Sequence, residues 1–274
     1  MSKFFSKFLS LNIAEKIISV NIFLFALPLF LYIFFYLFKI PQTNFYYYFE
    51  LLPNITDILF RPWSLITYGF IHASIGHLFW NMILFYYFSK LFLNLFKEGD
   101  LLTLFLLGII GGGLFFVFSY SFFPVFGGVS YPLVGSSAGV ISVVIFMSTY
   151  SPNSILRIFF FNVKLVYVGI ALVIFDLAQL PNSNSGGHIA HLGGALIGFF
   201  SGTRMKNGIN IFSYLKMNNS SYQKIRNNQE KVSNENLKNN NQRKIDRILD
   251  KISESGYDSL TREEKRLLNE ASKD

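Results

Sequence analysis

Residues 101–123 read LLTLFLLGIIGGGLFFVFSYSFF, a stretch without one charged side chain and with three consecutive glycines at its centre. It is long enough to cross the roughly 30 Å hydrocarbon core of a bilayer as a helix. Other apolar runs flank it, at 17–38, 77–96, about 136–150, about 163–180 and about 188–203. They predict six transmembrane helices. The residues between the first two runs, 40–76, are different in kind. They mix Pro41, Pro53 and Pro62 with Trp63 and the Tyr46-Tyr47-Tyr48 cluster, and predict a long loop lying in the membrane interface, where Tyr and Trp favour the headgroup level.

The composition agrees with this reading. The chain of 274 residues is 51% hydrophobic and 15% charged, whereas a soluble domain carries about 25% charged residues. The charge is also segregated. From residue 204 onward lie 15 of the 24 Lys+Arg and 10 of the 16 Asp+Glu, which leaves 9 basic and 6 acidic residues for the first 203. No basic stripe interleaved with aromatics occurs in the apolar part, so the net charge of +8 does not point to nucleic acid. There are no cysteines, which excludes disulfides, thiolate metal sites and a cysteine nucleophile.

The placement of basic residues orients the runs. Lys3, Lys7 and Lys16 precede the first; Lys90 and Lys97 mark the end of the second; Arg157 and Lys164 lie between the fourth and fifth; the tail is rich in Lys and Arg. Residues 124–135 and 181–187 carry no charge. The pattern predicts both termini on the cytoplasmic side. The tail itself divides into a polar linker and a segment in which Ile245, Ile248, Leu249 and Ile252 fall on one helix face. Gly256 ends that helix, and Thr261 with Glu264 forms a capping box for a second. The expected division is a membrane domain at 1–204, a flexible linker at 205–241 and a short helical hairpin at 242–274.

Four histidines, His72, His77, His188 and His191, fall near the outer face by this topology. Ionisable groups in a membrane segment are costly and tend to mark function. Gly135-Ser136-Ser137-Ala138-Gly139 opens the fourth run. Taken alone, a serine there reads equally as a helix cap, and the glycines as packing residues. A neighbouring histidine changes the reading, because serine needs a base to act as a nucleophile. A helix N-terminus also offers free N–H groups to a developing oxyanion. The fourth and sixth runs have about 16 residues each, or about 24 Å of helix. Both would therefore begin below the outer face, with Ser137 and His191 at similar depth in a water-filled recess.

Three motifs in residues 15–203 resemble the bacterial rhomboid proteases. Gly135-Ser136-Ser137 resembles their nucleophile motif. Ala190-His191-Leu192-Gly193-Gly194, with Gly198 beyond, resembles the sixth-helix motif that holds the base and packs tightly on the fourth helix. His72-Ala73-Ser74-Ile75-Gly76-His77, followed by Asn81, resembles the start of the second helix. Arg61-Pro62-Trp63 to Tyr68 is similar in flavour to the first-loop motif. The resemblance implies an all-α six-helix membrane bundle that hydrolyses transmembrane segments of single-span proteins near the outer face. It implies Ser137 as nucleophile, His191 as general base, and His77 and Asn81 as oxyanion donors, with no cofactor and no metal. It also implies a multi-pass protein of a bacterial inner membrane. His72 is assigned to steadying the first loop against the second helix, and His188, one turn outward of His191, to flanking or gating the site.

The chain departs from the pattern in two places. Ala138 follows the nucleophile where glycine is usual, and Ile141 stands one turn on where an aromatic often stacks on the base. Asp176 is the only acid inside an apolar run. Because the resemblance implies a two-residue dyad, its expected role is a hydrogen bond near the outer end of the fifth helix. Two other readings stand beside the protease. One is a non-proteolytic rhomboid-like protein that binds transmembrane segments. The other is a metal-dependent membrane protein using the histidines as ligands, although no His-Glu-x-x-His pattern is present.

Overall fold

A computed structural model describes residues 3–41, 45–128, 131–158, 161–182, 184–215 and, in the tail, 246, 248–253, 255–256 and 259–271. The chain divides into two compact units, Met1–Leu215 and Lys216–Asp274.

The first unit is helical. A short helix α1 (Lys3–Ser10) precedes α2 (Ile13–Leu37), whose start is fixed by a capping box between Asn12 and Glu15. The chain then forms α3 (Ile55–Phe60) and α4 (Ser64–Thr67), followed by α5 (Ile75–Leu93), α6 (Glu98–Phe122), α7 (Ser137–Tyr150), α8 (Leu165–Gln179), α9 (Ser185–Lys206) and α10 (Ile211–Leu215). Two of these, α2 and α6, are long and apolar enough to cross a bilayer; α7 and α8 are apolar but shorter.

Helix α7 is the centre of the unit, and every residue from Ala138 to Ser148 is buried. Its two closest neighbours reach it through glycine. Along α9, Gly194, Gly198 and Gly202 face the carbonyls of Ala138, Ser142 and Phe146, each four residues apart on α7. A Cβ at Gly202 would lie 2.9 Å from the Phe146 oxygen, and one at Gly194 or Gly198 would be closer still to its carbonyl. On the other side, Gly108 and Gly112 of α6 face Ser142 and Ala138. Small residues at such spacing let backbones approach and gain dispersion contacts that lipid cannot replace. At the far end of α7, Phe146 and Tyr150 join Phe92 and Phe96 in a cluster of rings with Phe212 of α10. Phe212 is fully enclosed. Residues 205–215 therefore belong to the first unit rather than to a linker beginning at 205, because Phe212 finds its partners there. The remainder of the expected linker lies outside the described residues.

The stretch 40–76 carries more structure than its sequence indicates. Beyond the expected long loop, α3 and α4 lie within it, and Leu51, Ser64 and Tyr68 are buried. Leu51 pairs with Leu133 through two backbone hydrogen bonds, and the Tyr68 hydroxyl donates to the Ile109 carbonyl at 2.6 Å. A second departure precedes α8, where Ile155–Ile158 and Phe161–Lys164 pair as an antiparallel hairpin. Apolar alternation there is too short to separate from the start of a helical run.

In the second unit, Gly256 adopts φ +79 beyond a helical segment. A helix over Arg262–Ala271 follows. Thr261 and Glu264 cap it reciprocally, and the Glu264 carboxylate receives both a Lys251 hydrogen bond and the Thr261 N–H. These contacts hold the Glu264 carboxyl well below its ordinary range, at about 2. Ile248 and Leu260 are buried in this unit.

Candidate active site

Ser137 is the first residue of α7, and among the described residues no side chain caps that end of the helix. Its N-terminal N–H groups thus lack the side-chain acceptor that a helix start usually finds. The approach to Ser137 is fixed from three sides. The Gly135 N–H donates to the Tyr68 carbonyl at 2.9 Å, Leu133 is paired with Leu51, and the Ser136 hydroxyl lies 3.1 Å from His72 Nε2. Gly135 has φ +122, a conformation open to glycine. Its missing side chain matters as well, because a Cβ there would sit 2.7 Å from His77 Nε2 and 3.7 Å from Ser137 Oγ. The glycine lets the His77 ring lie against the backbone beside the serine.

A cleft of about 260 Å³ opens at this point. Ser137, His191, His77 and Asn81 all line it, together with Trp80 and Asn184. His77 and Asn81 share one face of α5 by their i, i+4 spacing. Asn81 is buried, yet its Nδ2 has no hydrogen-bond partner among the described residues. A buried donor without an acceptor requires an explanation. Here it borders a cleft that contains a serine.

His72 and His188 do not line the cleft. His72 is buried behind it, edge-on to His77 with ring centroids 5.1 Å apart, and it holds Ser136 rather than the first loop alone. Burial, reinforced by the neighbouring His77, lowers its pKa from 6.5 to about 4, so its ring is neutral at physiological pH. His188 sits one turn before His191 on α9, and both rings turn toward α8. There Asp176 is buried, with its Oδ1 2.7 Å from His188 Nδ1 and 2.8 Å from His191 Nδ1. The hydrogen bond expected of Asp176 exists, and its partners are these two histidines. Ile141 packs with Ile145 and Ala195 instead of presenting a ring to the base.

Sequence reasoning missed Asn184 and the partners of Asp176. Asn184 stands in the left-handed region at φ 67 immediately before α9. Asparagine is among the few non-glycine residues that accept this conformation, and its position before a helix start was a usable signal.

A half-buried serine at a helix end without a side-chain cap shares one cleft with a histidine and an unpaired amide donor inside an apolar helical body, and this defines a class of protein: a membrane protein with a polar cleft among its helices. Residues 60–207 match the Rhomboid domain, and the chain belongs to the rhomboid family. Residues 228–274 match a family of unknown function, DUF6576. The chain is similar to the RHOMBOID-like protein 12, mitochondrial, of Arabidopsis thaliana, with 31% identity over 161 residues, covering 54% of this chain and 48% of that protein. The matched region thus spans about half the length of that relative.

Proposed function

We propose that this chain is an intramembrane serine endopeptidase with Ser137 as nucleophile and His191 as general base. The observation that carries the reading is the convergence of Ser137, His191, His77 and Asn81 on one cleft at the start of α7. In the reaction, Ser137 Oγ adds to a substrate carbonyl while its proton passes to His191 Nε2. The carbonyl oxygen becomes an oxyanion that accepts hydrogen bonds from the Ser137 N–H, His77 and the otherwise unpaired Asn81 Nδ2. The imidazolium then protonates the leaving amine as the C–N bond breaks. Water hydrolyses the acyl-enzyme by the same route in reverse, with His191 again taking a proton.

The substrate chemistry follows from the surroundings. A nucleophile at this position needs an unwound backbone, since a helix engages its own carbonyls. Gly135, Ser136, Ala138 and Gly139 favour a small residue before the scissile bond. Single-span membrane proteins cut near the outer face, at segments weakened by Gly or Pro, fit both requirements. Six helices, α2, α5, α6, α7, α8 and α9, serve as the spans, with both chain ends on the cytoplasmic side, as in a bacterial inner membrane. Every residue that lines the cleft belongs to the first unit.

The test is cleavage of a model single-span substrate, together with labelling by a fluorophosphonate serine probe. Ser137→Ala and His191→Ala should each abolish cleavage while leaving a folded protein, and the double variant should be no worse than either single one, because the two act as a unit. Full labelling of Ser137→Ala, or cleavage by it, removes the assignment.

A further inference from the structure

Asp176 is the feature of α8 that its other contacts do not explain. The helix is otherwise peripheral; besides Asp176, only Leu165 and Gly169 are buried along it. An acid enclosed in an apolar body is costly unless its oxygens are engaged. Here one oxygen, Oδ1, lies 2.7 and 2.8 Å from the Nδ1 atoms of His188 and His191. A carboxylate only accepts, so each ring presents its proton at Nδ1. For His191 that leaves the Nε2 lone pair free, and His191 lines the cleft with Ser137. The ring beside the imidazole is that of His188, edge-on with centroids 5.6 Å apart, while Ile141 is packed into the aliphatic contact between α7 and α9.

We propose that Asp176 is a positioning residue that fixes the tautomer and orientation of His191, so that the site works as an Asp176–His191–Ser137 relay rather than a two-residue pair. This rests on the proteolytic reading above. As Ser137 Oγ adds to the substrate carbonyl, its one proton moves to His191 Nε2. The resulting imidazolium keeps its Nδ1 proton, and its charge faces the Asp176 carboxylate. Asp176 takes up no proton, and Nε2 gives its proton to the leaving amine. His188 shares the same oxygen and holds the carboxylate in place from the outer side of α9.

The experiment uses the full-length protein in detergent or lipid. Asp176→Asn is expected to lower kcat by about 10⁴-fold, the order seen when the acid of a serine triad is neutralised. KM should be little changed, and fluorophosphonate labelling of Ser137 should slow in parallel. Asp176→Glu should recover part of the rate. A purely structural role would instead reduce the folded amount and leave the kcat of the folded fraction intact, and wild-type kcat in folded Asp176→Asn overturns the proposal. Histidine-selective ¹⁵N NMR of the unaltered protein needs no variant of Asp176. It should show His191, identified by loss of its signal in His191→Gln, protonated at Nδ1 and bare at Nε2; the opposite tautomer overturns the proposal. So does activity that chelators remove and Zn²⁺ restores, which would make Asp176, His188 and His191 metal ligands. If the unaltered protein neither labels nor cleaves, the proteolytic reading fails by itself, and the tautomer still decides whether Asp176 sets the His191 ring.

Discussion

Helices α7 and α8 are near equals as sequence and opposites as structure. They have 14 and 15 residues, and both are apolar runs too short to cross a bilayer comfortably. Yet α7 is buried along eleven consecutive residues, while α8 buries three and leaves Ile170, Ile174 and Phe175 outward. The difference lies in what reaches them. Glycines of α6 and α9 lie close against α7 and enclose it, the α9 glycines facing its carbonyls. Helix α8 adheres by one edge and delivers one polar group, Asp176, to the histidines of α9. One helix thus contributes to the candidate site from an enclosed position, and the other from a single buried edge.

That contrast can be broken most directly at the α7–α9 seam. Gly194→Leu drives a side chain into the Ala138 carbonyl, a backbone group that cannot rotate away. Overpacking typically costs about 1–3 kcal/mol, and a backbone clash should exceed that. The expected outcome is loss of folded protein or a large fall in Tm in detergent. An unchanged Tm would show that the seam opens freely, and that α7 is no more constrained than α8.

Within the site, Asn81→Ala and His77→Ala should each lower kcat by about 10²–10³-fold with the fold intact, the usual effect of removing one oxyanion donor. Wild-type turnover in both would remove the donor role and leave the unpaired Asn81 Nδ2 without a catalytic explanation.

A smaller effect comes from behind α7. His72 holds Ser136 with a ring whose pKa is lowered to about 4. The folded protein therefore binds fewer protons than the unfolded chain between pH 6.5 and pH 4. The stability tied to the neutral ring is complete above pH 6.5 and declines as pH falls toward 4, by at most about 3 kcal/mol. Thermal unfolding at pH 7 and pH 4.5 should show a larger acid loss in the unaltered protein than in His72→Gln. Equal losses would mean that the ring charges without penalty.

The smallest effect sharpens the other side of the comparison. Ile174 is 60% exposed on α8. Ile174→Ala should shift stability by less than about 0.5 kcal/mol, as for substitutions away from packed contacts. A loss as large as at the α7 seam would show that α8 packs against something on its outward face.

The helical, apolar character of the chain was legible in its sequence because hydrophobicity is a property of each residue and its near neighbours. The same holds for the Thr261–Glu264 cap, whereas the packing role of the α9 glycines was implied by the rhomboid resemblance. The motifs around Ser137, His191, His77 and Asn81 could be singled out by their resemblance to those of the rhomboid proteases. What depended on distant partners could not be read. Tyr68 closed the run similar to the first-loop motif with no partner stated, but its hydroxyl reaches Ile109, 41 positions away, and its ring is fully buried. Phe212 looked like the start of a linker and became the floor of an aromatic cluster. Asp176 stood in the sequence as an isolated acid with no stated partner. Its meaning arises only where α8 crosses α9, because a buried carboxylate must find donors, and which donors it finds is fixed by the packing of helices rather than by the order of residues along the chain.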